Sequence, residues 1–268
     1  MRAVVLLFVL AVVPAALAQD RSDPVPKALE GVGVDEKRDA ALPLQLLFKD
    51  ERGRDVTLGS YFKPGRPVIL TLNYYRCPML CTLELNGLVD GMKNLAWSPG
   101  DEFDVVTVSI DPREMPPLAA AKRVEYLSAL GRPSAEAGWH FLTGSSSSIE
   151  ALAQAVGFRY QYDAGTDQYG HAAAIFLLTP EGRVSRYLYG VRFDAPTLKM
   201  GLLEASRGKI GSAVDRFLLY CYHYDVESGR YVLAAVTLMR AAGALTVLVL
   251  GSVVGSFWLR ERARGRAA

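Results

Sequence analysis

The feature that most restricts the fold of this chain is the run PVILTLNY at 67–74, apolar and β-branched almost throughout and followed closely by Cys77-Pro-Met-Leu-Cys81. A strand with one solvated face alternates apolar and polar residues. An unbroken run is instead buried on both faces and needs a layer above and below it. A second such run, FDVVTVSI, occupies 103–110, and between the two, residues 80–97 repeat apolar positions at helical spacing. Helices are expected at 117–130 and 148–156, the latter capped by the serines at 145–148, with a short strand at 139–142 between them. Strands at 172–178 and 184–189 flank the turn TPEGR, a last helix covers 195–206, and 42–48 with 55–58 form an N-terminal hairpin around DERG. The succession of strands and helices implies an α/β fold, a mixed three-layer sandwich, without internal repeats.

With 268 residues the chain suffices for one domain of ordinary size plus appendages. Half of its residues are hydrophobic, and two segments at the ends carry much of that excess. Residues 1–18 have Arg2, a continuous apolar stretch and Ala16-Leu17-Ala18 before Gln19, the pattern of a cleaved signal peptide. Residues 241–259 contain no charge and precede Arg260, Arg262, Arg264 and Arg266, as in a transmembrane helix whose basic tail, 260–268, stays cytoplasmic. The body of the chain is then extracytoplasmic, at a cell (inner) membrane. Residues 19–40 are polar and aperiodic and read as a flexible lead-in, 41–208 as the domain, and 209–240 as a juxtamembrane linker.

The formal charge of +2 mixes these compartments. Six arginines (Arg2, Arg240, Arg260, Arg262, Arg264 and Arg266) and Glu261 belong to the ends, so 19–239 is acidic by about 3 charges. No basic run outside the tail has the density that nucleic-acid binding requires.

Chemistry-bearing residues are few: three cysteines and three histidines. Cys77 and Cys81 fall where a buried strand yields to a helix, the place where α/β sheets bind ligands and where a helix N-terminus stabilises a thiolate. Their i, i+4 spacing puts both sulfurs on one side of the first turn, able to bridge as a disulfide or to chelate one ion. A bridge over three residues would constrain the unfolded chain little, so a purely structural disulfide gives a weak reason for the pair. His171 stands at the mouth of a strand after the polar loop DQYG. Two thiolates and an imidazole form a soft donor set that favours Cu(I), with Cu(II) and Zn(II) as competitors, while structural zinc normally takes four protein ligands. His140, beside Trp139, reads as structural. Cys221-Tyr-His223, within LLYCYHYD, admits an intermolecular bond, a weak soft-metal pair or a tyrosine-rich stretch at the membrane interface.

The string ILTLNYYRCPMLCTLEL ending at Leu85, VSIDP at 108–112 and a histidine opening AAAIFLL closely resemble the SCO/SenC family of copper-binding assembly factors for cytochrome c oxidase. The resemblance covers roughly 44–206. It implies a thioredoxin-like fold, copper held by Cys77, Cys81 and His171, and delivery of copper to, or thiol reduction of, the binuclear copper centre of oxidase subunit II. Three departures stand out: Thr82 where the family usually has proline, Met115 where it has the second Asp of D-P-x-x-D, and an anchor at the C-terminus instead of the N-terminus. The competing function is a membrane-tethered thiol-disulfide reductase in which Cys77 attacks and Cys81 resolves. Thiol peroxidase chemistry is disfavoured, because Tyr74 occupies the place of the Thr or Ser that such enzymes set three residues before the reactive cysteine.

Overall fold

Val68–Asn73 forms a central strand, β4, with all six residues buried. The computed structural model describes residues 31–207, 222–225, 230–233, 243–250, 252, 253 and 256. Around β4 the order is β1 (Gly33–Val34), β2 (Leu47–Lys49), β3 (Asp55–Thr57), then after β4 α1 (Leu80–Lys93), β5 (Asp104–Ser109), α2 (Pro116–Leu130), β6 (Trp139–Leu142) and α3 (Ser146–Val156). There follow β7 (Phe158–Asp163), β8 (Gln168–His171), β9 (Ala174–Leu178), β10 (Val184–Tyr189) and α4 (Ala195–Ala205), with a separate pair β11 (Tyr222–Asp225) and β12 (Arg230–Leu233).

The main sheet runs β10-β9-β4-β5-β6, with β4, β5 and β6 parallel and β9 and β10 antiparallel. Successive side chains of β4 point to opposite faces. Ile69 joins Leu85, Leu88, Met92, Tyr126, Leu198 and Leu202 in a core built by α1, α2 and α4. Val68, Leu70 and Leu72 join Phe48, Leu58, Ile149, Leu152 and Phe158 in a second core under α3 and the β2–β3 hairpin. The expected three-layer sandwich is therefore present, and both faces of β4 are covered.

Local chemistry sets the helix limits. α2 opens on Pro116-Pro117 and stops at Gly131, whose φ of 68° is the left-handed conformation glycine adopts without a Cβ penalty. Ser145 caps α3 by accepting from Ser148 N–H, and Asp194 caps α4 by accepting from Thr197 N–H.

Two expectations change, and a third falls largely outside the described residues. The polar loop expected ahead of His171 is a β-hairpin: β7 and β8 pair antiparallel with Tyr160 opposite His171 and Tyr162 opposite Tyr169. β7 is largely exposed and β8 only partly buried, so the tyrosines alternate with polar residues and imitate a loop in composition. The flexible lead-in over 19–40 is, from Gly33 onward, part of the domain. Gly33 and Val34 pair with Arg159 and Phe158, and Lys37 N–H donates to the Tyr187 hydroxyl at 2.7 Å. Of the anchor expected at 241–259, residues 243–250, 252, 253 and 256 are helical and exposed. Among the described residues no helix is long and apolar enough to cross a membrane. The signal peptide at 1–18, the tail at 260–268, Cys221 and most of the 209–240 linker lie outside the described residues. His223 falls in β11, with its backbone opposite Val232.

Candidate metal centre

Cys77 sits in the connection from β4 to α1, and Cys81 is the second residue of α1. α1 begins without a side-chain cap at Met79. The Cys77 sulfur takes that role, accepting from the Cys81 N–H at 3.3 Å. An orphan amide at a helix N-terminus thus points at the sulfur, where the helix dipole favours negative charge. The approach to Cys77 is fixed from the other side by Glu114, whose carboxylate accepts from the N–H groups of Tyr75 and Arg76, both at 2.8 Å, and from the Ser109 hydroxyl at 2.6 Å.

His171 comes from the end of β8 and is buried, with 5% of its surface exposed. Its Nε2 lies 3.0 Å from the Cys81 sulfur. Its Nδ1 is 3.0 Å from the Ala172 carbonyl, which can only accept, so in the neutral ring that a metal requires, Nδ1 carries the proton and Nε2 is the atom offered to the ion. One donor atom from each of Cys77, Cys81 and His171 falls within 4.8 Å of the others, the only such group among the described residues. An ion bound at roughly 2.0–2.3 Å, the range of zinc to nitrogen and sulfur, needs three surrounding donors about 3.5–4 Å apart. The three residues therefore fit a three-coordinate soft ion with little movement.

The two thiols are unequal. Cys77 is held down to about 3, first by hydrogen bonding from the Cys81 side chain, against its own burial, and then by His171 and by the N–H groups of Cys81 and Met79. Cys81 is pushed far above its ordinary value by burial and then by the adjacent Cys77. The negative charge of the reduced, metal-free pair is thus favoured on Cys77 and disfavoured on Cys81, and both cysteines are free. Tyr74 closes the site edge-on to His171, ring centroids 6.1 Å apart, and Phe158 packs 5.8 Å from the same ring.

The chain matches the SCO1/SenC family over residues 36–200. It belongs to the SCO1/SenC family. It is 31% identical over 147 residues to the protein SCO2 homolog, mitochondrial, of Bos taurus, covering 52% of this chain and 50% of that one. The chain thus spans about half the length of the curated relative it matches. Its fold is similar to that of a putative electron transfer protein from Aquifex aeolicus VF5, with 23% identity, coverage of 64% of this chain and 95% of that chain, and a TM-score of 0.56. The copper-bound ScoI of Arabidopsis thaliana is another similar structure, at 23% identity, 60% and 96% coverage and a TM-score of 0.49.

In this SCO1/SenC chain the departures from the family pattern leave the three donors in place. Thr82 turns its hydroxyl to the Cys77 carbonyl at 3.4 Å, and Met115 is exposed at the start of α2. His140 lies against the Tyr61 ring at 4.5 Å, away from the three donors, and burial lowers its pKa.

Sequence reasoning passes over Glu84, one turn after Cys81. It is fully buried, accepts from Asn73 Nδ2 and from Ala174 N–H, each at 3.1 Å, and joins α1 and β4 to the strand that follows His171. Burial pushes its pKa up to about 8. The available signal is a carboxylate three residues after Cys81, on the apolar face of the helix.

Proposed function

We propose that this chain is a membrane-anchored copper-binding protein that assists assembly of the copper centre in subunit II of cytochrome c oxidase. Convergence of Cys77, Cys81 and the oriented Nε2 of His171 within 4.8 Å carries the reading. Two sulfurs and an imidazole suit copper in preference to hard ions, and the half-buried Cys77 leaves one side of the site open to an acceptor. The domain lies outside the cytoplasm, exported by residues 1–18 and held by 241–259 with the arginine tail inside. What supports the anchor is the uncharged stretch itself, the positive residues after it, and the exposure of Leu245, Val247, Leu248 and Leu250 on its described helical part. Tethering would confine the site to the plane in which an oxidase subunit presents its own, raising the effective concentration of the encounter.

The test is copper binding by the purified, reduced full-length chain in detergent. One copper per chain is expected, lost in Cys77→Ser and Cys81→Ser and weakened at least tenfold in His171→Ala, by analogy with metal-site mutations generally. Absence of copper binding by the reduced protein refutes the proposal. A second reading, a membrane-tethered thiol-disulfide reductase, is favoured by the unequal thiols, since a thiolate at Cys77 attacks and Cys81 resolves. A reductase without a metal role would turn over mixed disulfides while leaving copper affinity indifferent to His171→Ala.

A further inference from the structure

The three donors come from two pieces of the fold that are hydrogen-bonded in separate sheets. Cys77 and Cys81 are fixed to β4 and α1, whereas His171 ends a ribbon whose sheet, β1-β7-β8, shares no ladder with the main sheet. The ribbon is held at its base by the two-residue pairing of β1 with β7, by Phe158 in the core and by Tyr160 and Tyr169 packed partly buried against it, but β7 is largely exposed from Arg159 onward. Ordinarily a strand pair so thinly buried opens locally at low cost.

Arg113 bridges that gap, alongside a longer hydrogen bond from the Tyr169 hydroxyl to Asp111 at 3.4 Å. Its Nε and Nη2 donate to the Asp111 carboxylate at 2.9 Å, while Nη1 donates to Asp167 at 2.7 Å and to the Tyr162 hydroxyl at 3.3 Å. The Tyr162 hydroxyl itself donates to Asp167 at 2.6 Å. The guanidinium also lies over the Tyr162 ring, 4.9 Å from its centroid. Asp111 belongs to the loop after β5, whose neighbour Glu114 holds the backbone before Cys77; Asp167 and Tyr162 belong to the far half of the ribbon. One planar fork therefore ties the cysteine side of the site to the histidine side, a geometry that lysine cannot reproduce. Tyr169 and His171 are two apart on β8 and share a face, and both pack against Tyr74. A shift of the ribbon at Tyr169 is thus carried to His171, about 7 Å further along the strand.

We propose that Arg113 is the positioning residue for the third donor: by clamping the β7–β8 ribbon to the 111–114 loop, it holds the His171 imidazole against the two sulfurs. The inference rests on the reading that Cys77, Cys81 and His171 bind copper, and it assigns Arg113 no contact with the ion. Outer residues that orient a metal ligand are typically worth 10–100-fold in affinity.

A double-mutant cycle on the full-length reduced protein tests it, with Cu(I) affinity read by competition against bicinchoninate. Arg113→Gln and Asp167→Asn are each expected to weaken Cu(I) binding about tenfold. Arg113→Lys is expected to fall short of wild type. In the His171→Ala background, Arg113→Gln should cost no more than about twofold, because the clamp acts through the histidine. In parallel, hydrogen exchange of the metal-free protein should show the amides of 168–171 exchanging at least about tenfold faster in Arg113→Gln, with those of β4 and β5 unchanged. Equal losses of affinity with and without His171, or unchanged exchange at 168–171, would overturn the clamp. Failure of the wild-type protein to bind copper would defeat the metal reading alone, and the exchange measurement would still decide whether Arg113 holds the ribbon.

Discussion

Replacing Glu84 by Gln alters one atom under the metal centre, and pH sets its effect on stability. Glu84 is fully buried and meets two neutral donors, Asn73 Nδ2 and Ala174 N–H. Burial raises its pKa from 4.5 to about 8, so at neutral pH the native carboxyl keeps a proton that the unfolded chain has lost. Wherever the native state binds more protons than the unfolded state, stability falls as pH rises. The fall begins near 4.5 and ends near 8. Its slope approaches a tenfold change in the folding constant per pH unit, on the order of a few kcal/mol across the window.

Gln is a neutral stand-in for the protonated acid. The Asn73 Oδ1, which has no partner, can receive the new amide after a half-turn of the Asn73 side chain. Glu84→Gln should therefore match the wild type near pH 4.5 and exceed it by up to a few kcal/mol at pH 8. Glu84→Ala instead strands both donors, each unpaired buried donor costing about 1–3 kcal/mol, and should be weaker at every pH. Urea denaturation of the reduced, metal-free chain at pH 5, 6.5 and 8 measures the difference between variants, which cancels the other titrating groups. Parallel pH dependences for wild type and Glu84→Gln would refute the reasoning, since Glu84 would then ionise as easily inside as outside.

Copper binding should displace the Cys81 proton, because Cys77 is already a thiolate while burial and Cys77 keep Cys81 protonated. Affinity should then rise with pH between 5 and 7, by up to about tenfold per unit, and calorimetry in buffers of different ionisation enthalpy should find a proton released per ion; flat affinity would contradict this. Gly87→Ala should lower the stability of the chain by about 1–3 kcal/mol, since a Cβ there would run into the Val191 carbonyl that packs on α1, and should leave copper affinity within about twofold. Unchanged urea midpoints would show that α1 can move away from the 191–193 segment at no cost.

The cysteine half of the site is legible in the sequence because its geometry is local. A buried strand followed by two cysteines four apart at a helix start fixes where both sulfurs point, and β4, α1 and β5 appear within a few residues of where the pattern puts them. The histidine half is not local. His171 is read as a donor from its residue type and the strand after it, yet its support is a ribbon of tyrosines whose partners, Asp111, Arg113 and Tyr74, lie far off in the chain. Such pairings leave no period in a sequence. Glu84 and Glu114 escape notice for a related reason: composition marks a carboxylate as a surface residue, and only the fold shows Glu84 with its two donors and Glu114 with its three.

The same split between local and distant supports orders the site by access. Cys81 and His171 are buried, at 3% and 5% exposure, while Cys77 is only half-buried and stands at the open end of α1. Beside it Met79 is 67% exposed and Leu83 48%, so an apolar lip borders the single reachable sulfur. A copper ion held by all three donors is therefore shielded on the His171 side and approachable from Cys77. A soft ion here would be held by Cys77, Cys81 and His171, and Cys77 is the donor that another soft ligand could reach.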